Sequence, residues 1–400
     1  MVAGEEVLSR ANTYDASLSD ASSAPETEVM TSWSQRPSAA NDFLLRSRFN
    51  GVLKESQGLP AEERLIMYDA CDQNEVRAPL GTVFRKRLDA RRNTKPKKSD
   101  DQKLVCTPFN HNGFHFGKIK NDRERLLKLA LQPGRYDVLT NKFPLYPKHM
   151  LMVADALVPQ QMNSAHLAAI TELLSASNFC AYFNSWCASA SINHFHCHLI
   201  DECPPVTQYA LVNGPVVAGG RCLQPQGFPG FCYVFPTSAL ARVALCVEAM
   251  QADNQPHNML FTSRHIYVFP KPLSRPERSF ELYPETVGGP ELIGSFTVYT
   301  NEVYDRLTGE HADELCRINT SPLPSRLLQP GRAGSVIDDI AVLETSTTER
   351  AETSFLSIPQ AMSVELLPRL PPVSHTVHAE SWPQDRPIAR ALAPNLFTCV

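Results

Sequence analysis

Apolar and polar positions alternate most regularly at Asn193-His194-Phe195-His196-Cys197-His198-Leu199-Ile200. In an extended strand successive side chains point to opposite faces, so His194, His196 and His198 share one face while Phe195, Cys197 and Leu199 take the other. Upstream, the run from Arg135 to Pro144 reads as a strand entering a proline loop, and Met150 to Ala154 reads as a second strand, making an antiparallel pair. Leu167, Ile170 and Leu174 recur at helical spacing, with Ser164 placed to cap that helix. Phe179 to Asn184 is a further strand, which passes through Ala188-Ser189-Ala190-Ser191 into the histidine strand. The order is strand, strand, helix, strand, strand. After Pro204-Pro205 the pattern returns more faintly. Leu240, Val243, Val247 and Met250 form a helical stripe, 258–261 and 266–270 form a hairpin, and Glu291-Leu292-Ile293-Gly294 leads into a strand ending near Tyr299.

The flanks carry less signal. Residues 1–40 lack periodicity and read as disordered by composition. In 41–104, Phe43, Leu44, Phe49, Leu53, Leu59, Leu65 and Met67 predict helical packing, and the basic stretch Arg85 to Lys98 reads as a solvated linker. Pro108 to Ile119, with alternating aromatic and polar residues, predicts an edge strand with His111 and His115 at the surface. The expected division is then 105–205 for a first half, 206–320 for a degenerate second half, and 321–400 for a proline-rich disordered tail.

Three of the twelve histidines lie within five residues in the central strand. Such a row is a poor product of core packing, since each buried imidazole needs a partner. Two readings compete for it. Three imidazoles and a water make a catalytic zinc site; alternatively one imidazole is a nucleophile and its neighbours position a phosphate. A solvated or pH-sensing cluster is the bland third reading. The small residues at 188–191 allow backbone N–H groups to approach a ligand closely, as anion-binding loops require.

The segment NSWCASASINHFHCHLI resembles the signature of the histidine-triad (HIT) superfamily of nucleotide hydrolases and transferases. Its form Asn-Ser, small residues, Ile-Asn-His-x-His is most similar to the GDP-hexose phosphorylases, including the GDP-L-galactose and GDP-D-glucose enzymes, with diadenosine-polyphosphate phosphorylases sharing a looser version. The resemblance extends over about Phe109 to Thr320. It implies an α+β HIT-like fold, an antiparallel sheet with covering helices, duplicated as two half-domains. It implies that His196 is the nucleophile, flanked by His194 and His198. It also carries over His149, which follows Asn141 and Pro144 at the start of an apolar strand. One departure matters: His198 stands where the transferase branch usually has glutamine, which favours hydrolysis.

On this reading a neutral imidazole attacks the α-phosphorus of a nucleoside diphosphate derivative, and a nucleotidyl-histidine forms and is discharged to phosphate or water. His196 attacks through one nitrogen while the other holds its proton against an acceptor. His194 and His198 donate to phosphate oxygens, with Ser191 and backbone amides completing the cradle. Asn184 and Asn193 position the substrate, and Lys142, Lys148 and Arg264 are weaker candidates for neutralising its charge.

Composition narrows the partners. Four hundred residues with 43% hydrophobic and 20% charged positions suit one large or two medium domains, and a net charge of −4 favours neither nucleic acid nor an anionic membrane as a bulk partner. Eleven cysteines at irregular spacing without a CxxC pair read as reduced thiols in the cytoplasm. The expected partners are a nucleotide-sugar or dinucleotide substrate and inorganic phosphate, with a homodimer as candidate assembly, no cofactor and no bound metal. The base, guanine, adenine or uracil, is left open.

Overall fold

Two chemically different faces of one long sheet organise the protein. The computed structural model describes residues 29–69, 77–80, 83–94 and 103–328. Ahead of the histidine segment come β1 (Val29–Met30), α1 (Ser38–Gln57), β2 (Arg77–Leu80) and β3 (Phe84–Leu88). The first half follows as β4 (Arg125–Leu131), β5 (Gly134–Thr140), β6 (Met150–Ala154), α2 (Ser164–Ser175), β7 (Cys180–Asn184) and β8 (His196–Ile200). The second half is β9 (Leu211–Val217), β10 (Gly220–Pro225), β11 (Tyr233–Pro236), α3 (Leu240–Ala252), β12 (His257–Phe261) and β13 (His265–Pro270). Then come α4 (Glu277–Leu282), α5 (Gly289–Leu292), β14 (Ser295–Val298), α6 (Asn301–Arg306), α7 (Gly309–Ile318) and α8 (Ser325–Leu328).

Eleven of these strands form one sheet in the order β1-β4-β5-β6-β8-β7-β12-β13-β11-β10-β9. Read outward from the seam between β7 and β12, the strands β7, β8, β6, β5 and β4 correspond to β12, β13, β11, β10 and β9, with β1 an additional edge strand on the first side and α2 and α3 at matching points of the chain. The fold is therefore α+β and duplicated, as expected. At the seam Asn184 stands opposite Asn258 and Phe183 opposite Met259.

Alternation along each strand decides what lies on each face. Phe183, Cys197, Leu199, Met259, Phe261 and Val268 point under α2 and α3 and join Leu167, Ile170, Val243, Val247 and Met250 in the main core. Tyr182, Leu260, Tyr267 and Phe269 point the other way, against Leu292, Ile293, Phe296, Val298 and Leu315. That second layer includes a small sheet in which β14 pairs parallel with β3 and β3 antiparallel with β2.

Several expectations need correction. Disorder was expected through residue 40, yet β1 pairs with β4 and Trp33 is fully buried, its indole N–H donating to the Leu173 carbonyl. Burying an indole outweighs the lack of periodicity around it. Residues 1–28 lie outside the described residues. The expected tail likewise starts late: Leu323 is buried and Arg326 pairs with Asp253, while 329–400 lie outside the described residues. Asn163, not Ser164, caps α2, its side chain accepting from the His166 N–H at 2.8 Å. Pro108 to Ile119 forms loops and a short 3-10 turn rather than a strand. Cys203 is disulfide-bonded, against the expectation of thiols throughout.

Buried imidazoles tie stability to pH. On α2, His166 stacks on Phe195 with ring centroids 3.4 Å apart, and its Nδ1 lies 2.8 Å from the Tyr136 hydroxyl. Burial pushes His166 down to about 4, and does the same to His257. The unfolded chain takes up these protons below about pH 6.5, the folded protein only near pH 4, so stability is complete above 6.5 and falls with pH through that window. Each group contributes on the order of 3 kcal/mol. The urea midpoint should drop steeply between pH 7 and pH 4.5; an unchanged midpoint would contradict the assignment.

Candidate active site

The alternation of residues 193–200 survives folding, but strand β8 begins at His196. His196 pairs with Val153 and His198 with Leu151 on β6, and His198 also pairs with Tyr182 on β7. With Cys197 and Leu199 drawn into the main core, His196 and His198 project from the opposite face. Phe116 packs against His196 there, the two ring centroids 5.1 Å apart.

Hydrogen-bond direction fixes the tautomers. The Phe116 N–H donates to Nδ1 of His194 at 3.3 Å, which leaves the proton on Nε2, 2.9 Å from the Ala156 carbonyl oxygen. Burial lowers the pKa of this ring and keeps it neutral. His194 thus donates to Ala156 rather than toward a phosphate, which corrects its expected role. Its own carbonyl accepts from Nδ1 of His196 at 2.8 Å. A carbonyl can only accept, so the His196 proton sits on Nδ1 and the lone pair on Nε2.

A second chain of donors ends on His198. The Leu145 N–H donates to Nδ1 of His149 at 2.9 Å, so the His149 proton is on Nε2, 2.9 Å from Nδ1 of His198. His198 accepts there and carries its own proton on Nε2. Its ring stacks on Tyr182 with centroids 4.3 Å apart and planes within 3°. His149 is fully buried, and the Tyr182 hydroxyl lies 3.3 Å from its Nε2.

The loop supplying Leu145 is held by residues expected to be a solvated linker. Arg87 donates to the Leu145 carbonyl at 2.5 Å and Arg92 to the Phe143 carbonyl at 2.7 Å. Both arginines are buried, 6% and 5% exposed, and Arg91 pairs with the buried Asp89. The described part of that basic stretch, up to Thr94, is β3 and a 3-10 turn packed behind the histidines. A run of arginines carries no sign of burial until its partners, here backbone carbonyls far away in sequence, are known.

The remaining expected site residues divide. Asn184 is buried, and its Oδ1 accepts from Asn258 Nδ2 at 2.7 Å and from the Gly289 N–H at 3.0 Å, so it joins the two halves. Asn193 accepts from the Gln160 N–H at 2.9 Å and donates to the Pro108 carbonyl at 2.8 Å, tying loops around the strand entry. Ser191 is exposed at the end of the small-residue loop. Ala188 and Ala190 within it are buried, and a Cβ added to Gly288 would stand 2.9 Å from that of Ser189, so smallness here serves the approach of the second half. Lys148 lies 3.7 Å from Asp201. Lys142 is exposed in the loop before His149. Arg264 is exposed in the β12–β13 turn.

Sequence reasoning missed Gln160, which is fully buried, and the pair Lys271 and Glu291 behind the small-residue loop. Lys271 donates to the Val287 carbonyl and Glu291 accepts from the Gly288 N–H at 2.8 Å; burial lowers the pKa of the lysine and raises that of the glutamate. Gln160 lies in no patterned stretch, Lys271 just follows the 266–270 strand, and Glu291 opens a stretch whose pattern gave no sign of its burial. A zinc site on the three histidines meets a plain obstacle: both nitrogens of His194 are committed to backbone groups. Among the described residues no cluster of three or more His, Cys, Asp or Glu is placed to hold a metal, and no helix is long and apolar enough to cross a membrane.

Residues 48–200 match the family model described as "GDPGP1-like, N-terminal domain". That match begins well before Phe109, where the resemblance read from sequence starts, and takes in the buried arginines. The chain is similar to the crystal structure of yeast Ap4A phosphorylase Apa2 in complex with Ap4A, with a TM-score of 0.50 and 15% identity over 69% of this chain and 97% of that one. For yeast Apa2 without that qualification the TM-score is 0.50 and the identity 14%, over 69% and 94%. At such identities the likeness shows the fold, which is HIT-like. No curated protein sequence matches the chain. The resemblance to the GDP-hexose phosphorylases of the HIT superfamily stands on this domain match and this fold.

Proposed function

With a GDPGP1-like domain over residues 48–200 and an Ap4A-phosphorylase fold as premises, we propose that the protein is a nucleotide phosphorylase acting on a GDP-hexose. The observation that carries this reading is the tautomer of His196, with Nδ1–H donated to the His194 carbonyl and the lone pair on Nε2. Nε2 attacks the α-phosphorus, the bond from that phosphorus to the bridging oxygen breaks, and hexose 1-phosphate leaves. The nucleoside monophosphate stays on His196 through a P–N bond. An oxygen of inorganic phosphate then attacks the same phosphorus, the P–N bond breaks, and GDP departs with the imidazole restored. His198, donating from Nε2, stabilises charge on the non-bridging oxygens, and His149 orients it.

A diadenosine polyphosphate is the second reading, favoured by the likeness to the yeast Ap4A enzyme. Hydrolysis in place of phosphorolysis is favoured by His198. The eight free thiols among the described residues argue for a cytoplasmic setting, and the Cys203 disulfide argues against it. The deciding experiment incubates the protein with GDP-hexoses, Ap4A and UDP-sugars, with and without phosphate, and reads the products by mass. GDP and hexose 1-phosphate formed only with phosphate support the proposal. Phosphate-independent release of GMP alone overturns phosphorolysis, and turnover of Ap4A alone moves the substrate to the second reading.

A further inference from the structure

We propose that Gln160 is a positioning residue for His196, its side-chain amide replacing a missing stretch of β-ladder beside the nucleophile. The proposal rests on His196 being that nucleophile. Strands β7 and β8 pair as Cys180 with Ile200, Ala181 with Leu199 and Tyr182 with His198. Continued two residues further, the register would set Asn184 opposite His196, but the pairing ends at Tyr182. The Gln160 carboxamide lies in that opening. Its Nε2 donates to the carbonyl oxygens of Asn184 and His196, both at 2.9 Å, and its Oε1 accepts from the His196 N–H at 2.8 Å. Gln160 is fully buried, and its backbone N–H is held at 2.9 Å by Asn193.

An antiparallel neighbour offers a residue one donor and one acceptor. The Gln160 amide offers His196 the same pair and spends its second N–H on Asn184. The opening is needed because the chain leaves the sheet at Asn184, runs through the small-residue loop and re-enters at His196. On the other side His196 pairs with Val153. Backbone held from both sides and a ring pinned through Nδ1 together decide where Nε2 lies. Misplacing a reacting atom by about 1 Å can cost about 10²-fold in rate.

The bland account makes Gln160 a satisfier of buried backbone groups and nothing more. It predicts a lower Tm with kcat retained. Gln160→Met keeps the volume and removes every polar contact. Positioning predicts that this change lowers kcat for GDP-D-glucose phosphorolysis by about 10²-fold, with KM nearly unchanged. The His196 amide should also exchange its hydrogen about tenfold faster by NMR, a readout that needs no substrate. Gln160→Glu supplies a different test. Its carboxylate has no donor and faces two carbonyls, whereas the protonated acid has one donor. Activity relative to wild type should therefore rise as pH falls through the titration of this carboxyl. A kcat for Gln160→Met within twofold of wild type, or a pH-independent ratio for Gln160→Glu, overturns the proposal. If Gln160→Met does not fold, the Gln160→Glu ratio decides. If wild type turns over no nucleotide, the functional reading fails, while amide exchange at His196 still reports on Gln160.

Discussion

Replacing His196 with alanine should abolish turnover, by at least about 10⁴-fold in kcat, while nucleotide still binds with its Kd changed only a few-fold. The asymmetry follows from what the ring does. In the folded protein its Nδ1 makes one hydrogen bond to a neighbouring backbone carbonyl, so removing it leaves the His194 carbonyl short of one donor without dismantling β8. The covalent route, however, has no other atom at that position. Rapid quenching of the wild-type reaction should show the mass of a nucleoside monophosphate on the His196 peptide, and the variant should show none. Undiminished turnover in the alanine protein would reject the assigned nucleophile.

The second large effect concerns His198. Truncation to alanine should cost about 10²- to 10³-fold in kcat, the usual result of deleting one preorganised donor to developing charge. Glutamine should behave otherwise. His198 accepts from His149 at Nδ1 and donates from Nε2, and a glutamine side chain offers the same polarity, an oxygen that accepts and an NH₂ that donates. His198→Gln should keep kcat within about tenfold of wild type, since no donor is lost, and should raise the ratio of phosphorolysis to hydrolysis. A glutamine variant as poor as the alanine variant would mean that ring stacking on Tyr182, rather than hydrogen-bond polarity, is what the site requires.

Much of this centre was legible because its signals are local. Period-two alternation put His196 and His198 on one face, and helical stripes placed α2 and α3 within a few residues of their bounds. The elements that escaped notice have physical excuses. In β4 the doublet Leu126-Leu127 breaks the alternation because the strand is irregular there, and Asn213, Gly214 and Pro215 disguise β9. The misjudged side chains share another cause. His194 looked like a substrate donor until Phe116 and Ala156 were seen to occupy both its nitrogens. Arg87 and Arg92 looked solvated because the carbonyls that bury them come from residues 143–145. Gln160 gave no signal, since a single amide in a loop is ordinary until three backbone partners converge on it. Partners distant in sequence leave no trace in local pattern.

The seam between β7 and β12 bears on how this polypeptide can be divided. A fragment cut at 48–200, the bounds of the domain match, would lose the strand beside β7 and the β14 partner of β3. Its newly bared rim, Cys180-Ala181-Tyr182-Phe183-Asn184, is uncharged and largely apolar, the kind of border along which extended chains zip together. Expressed alone, such a fragment should accumulate as insoluble aggregate, whereas 29–328 should remain dispersed.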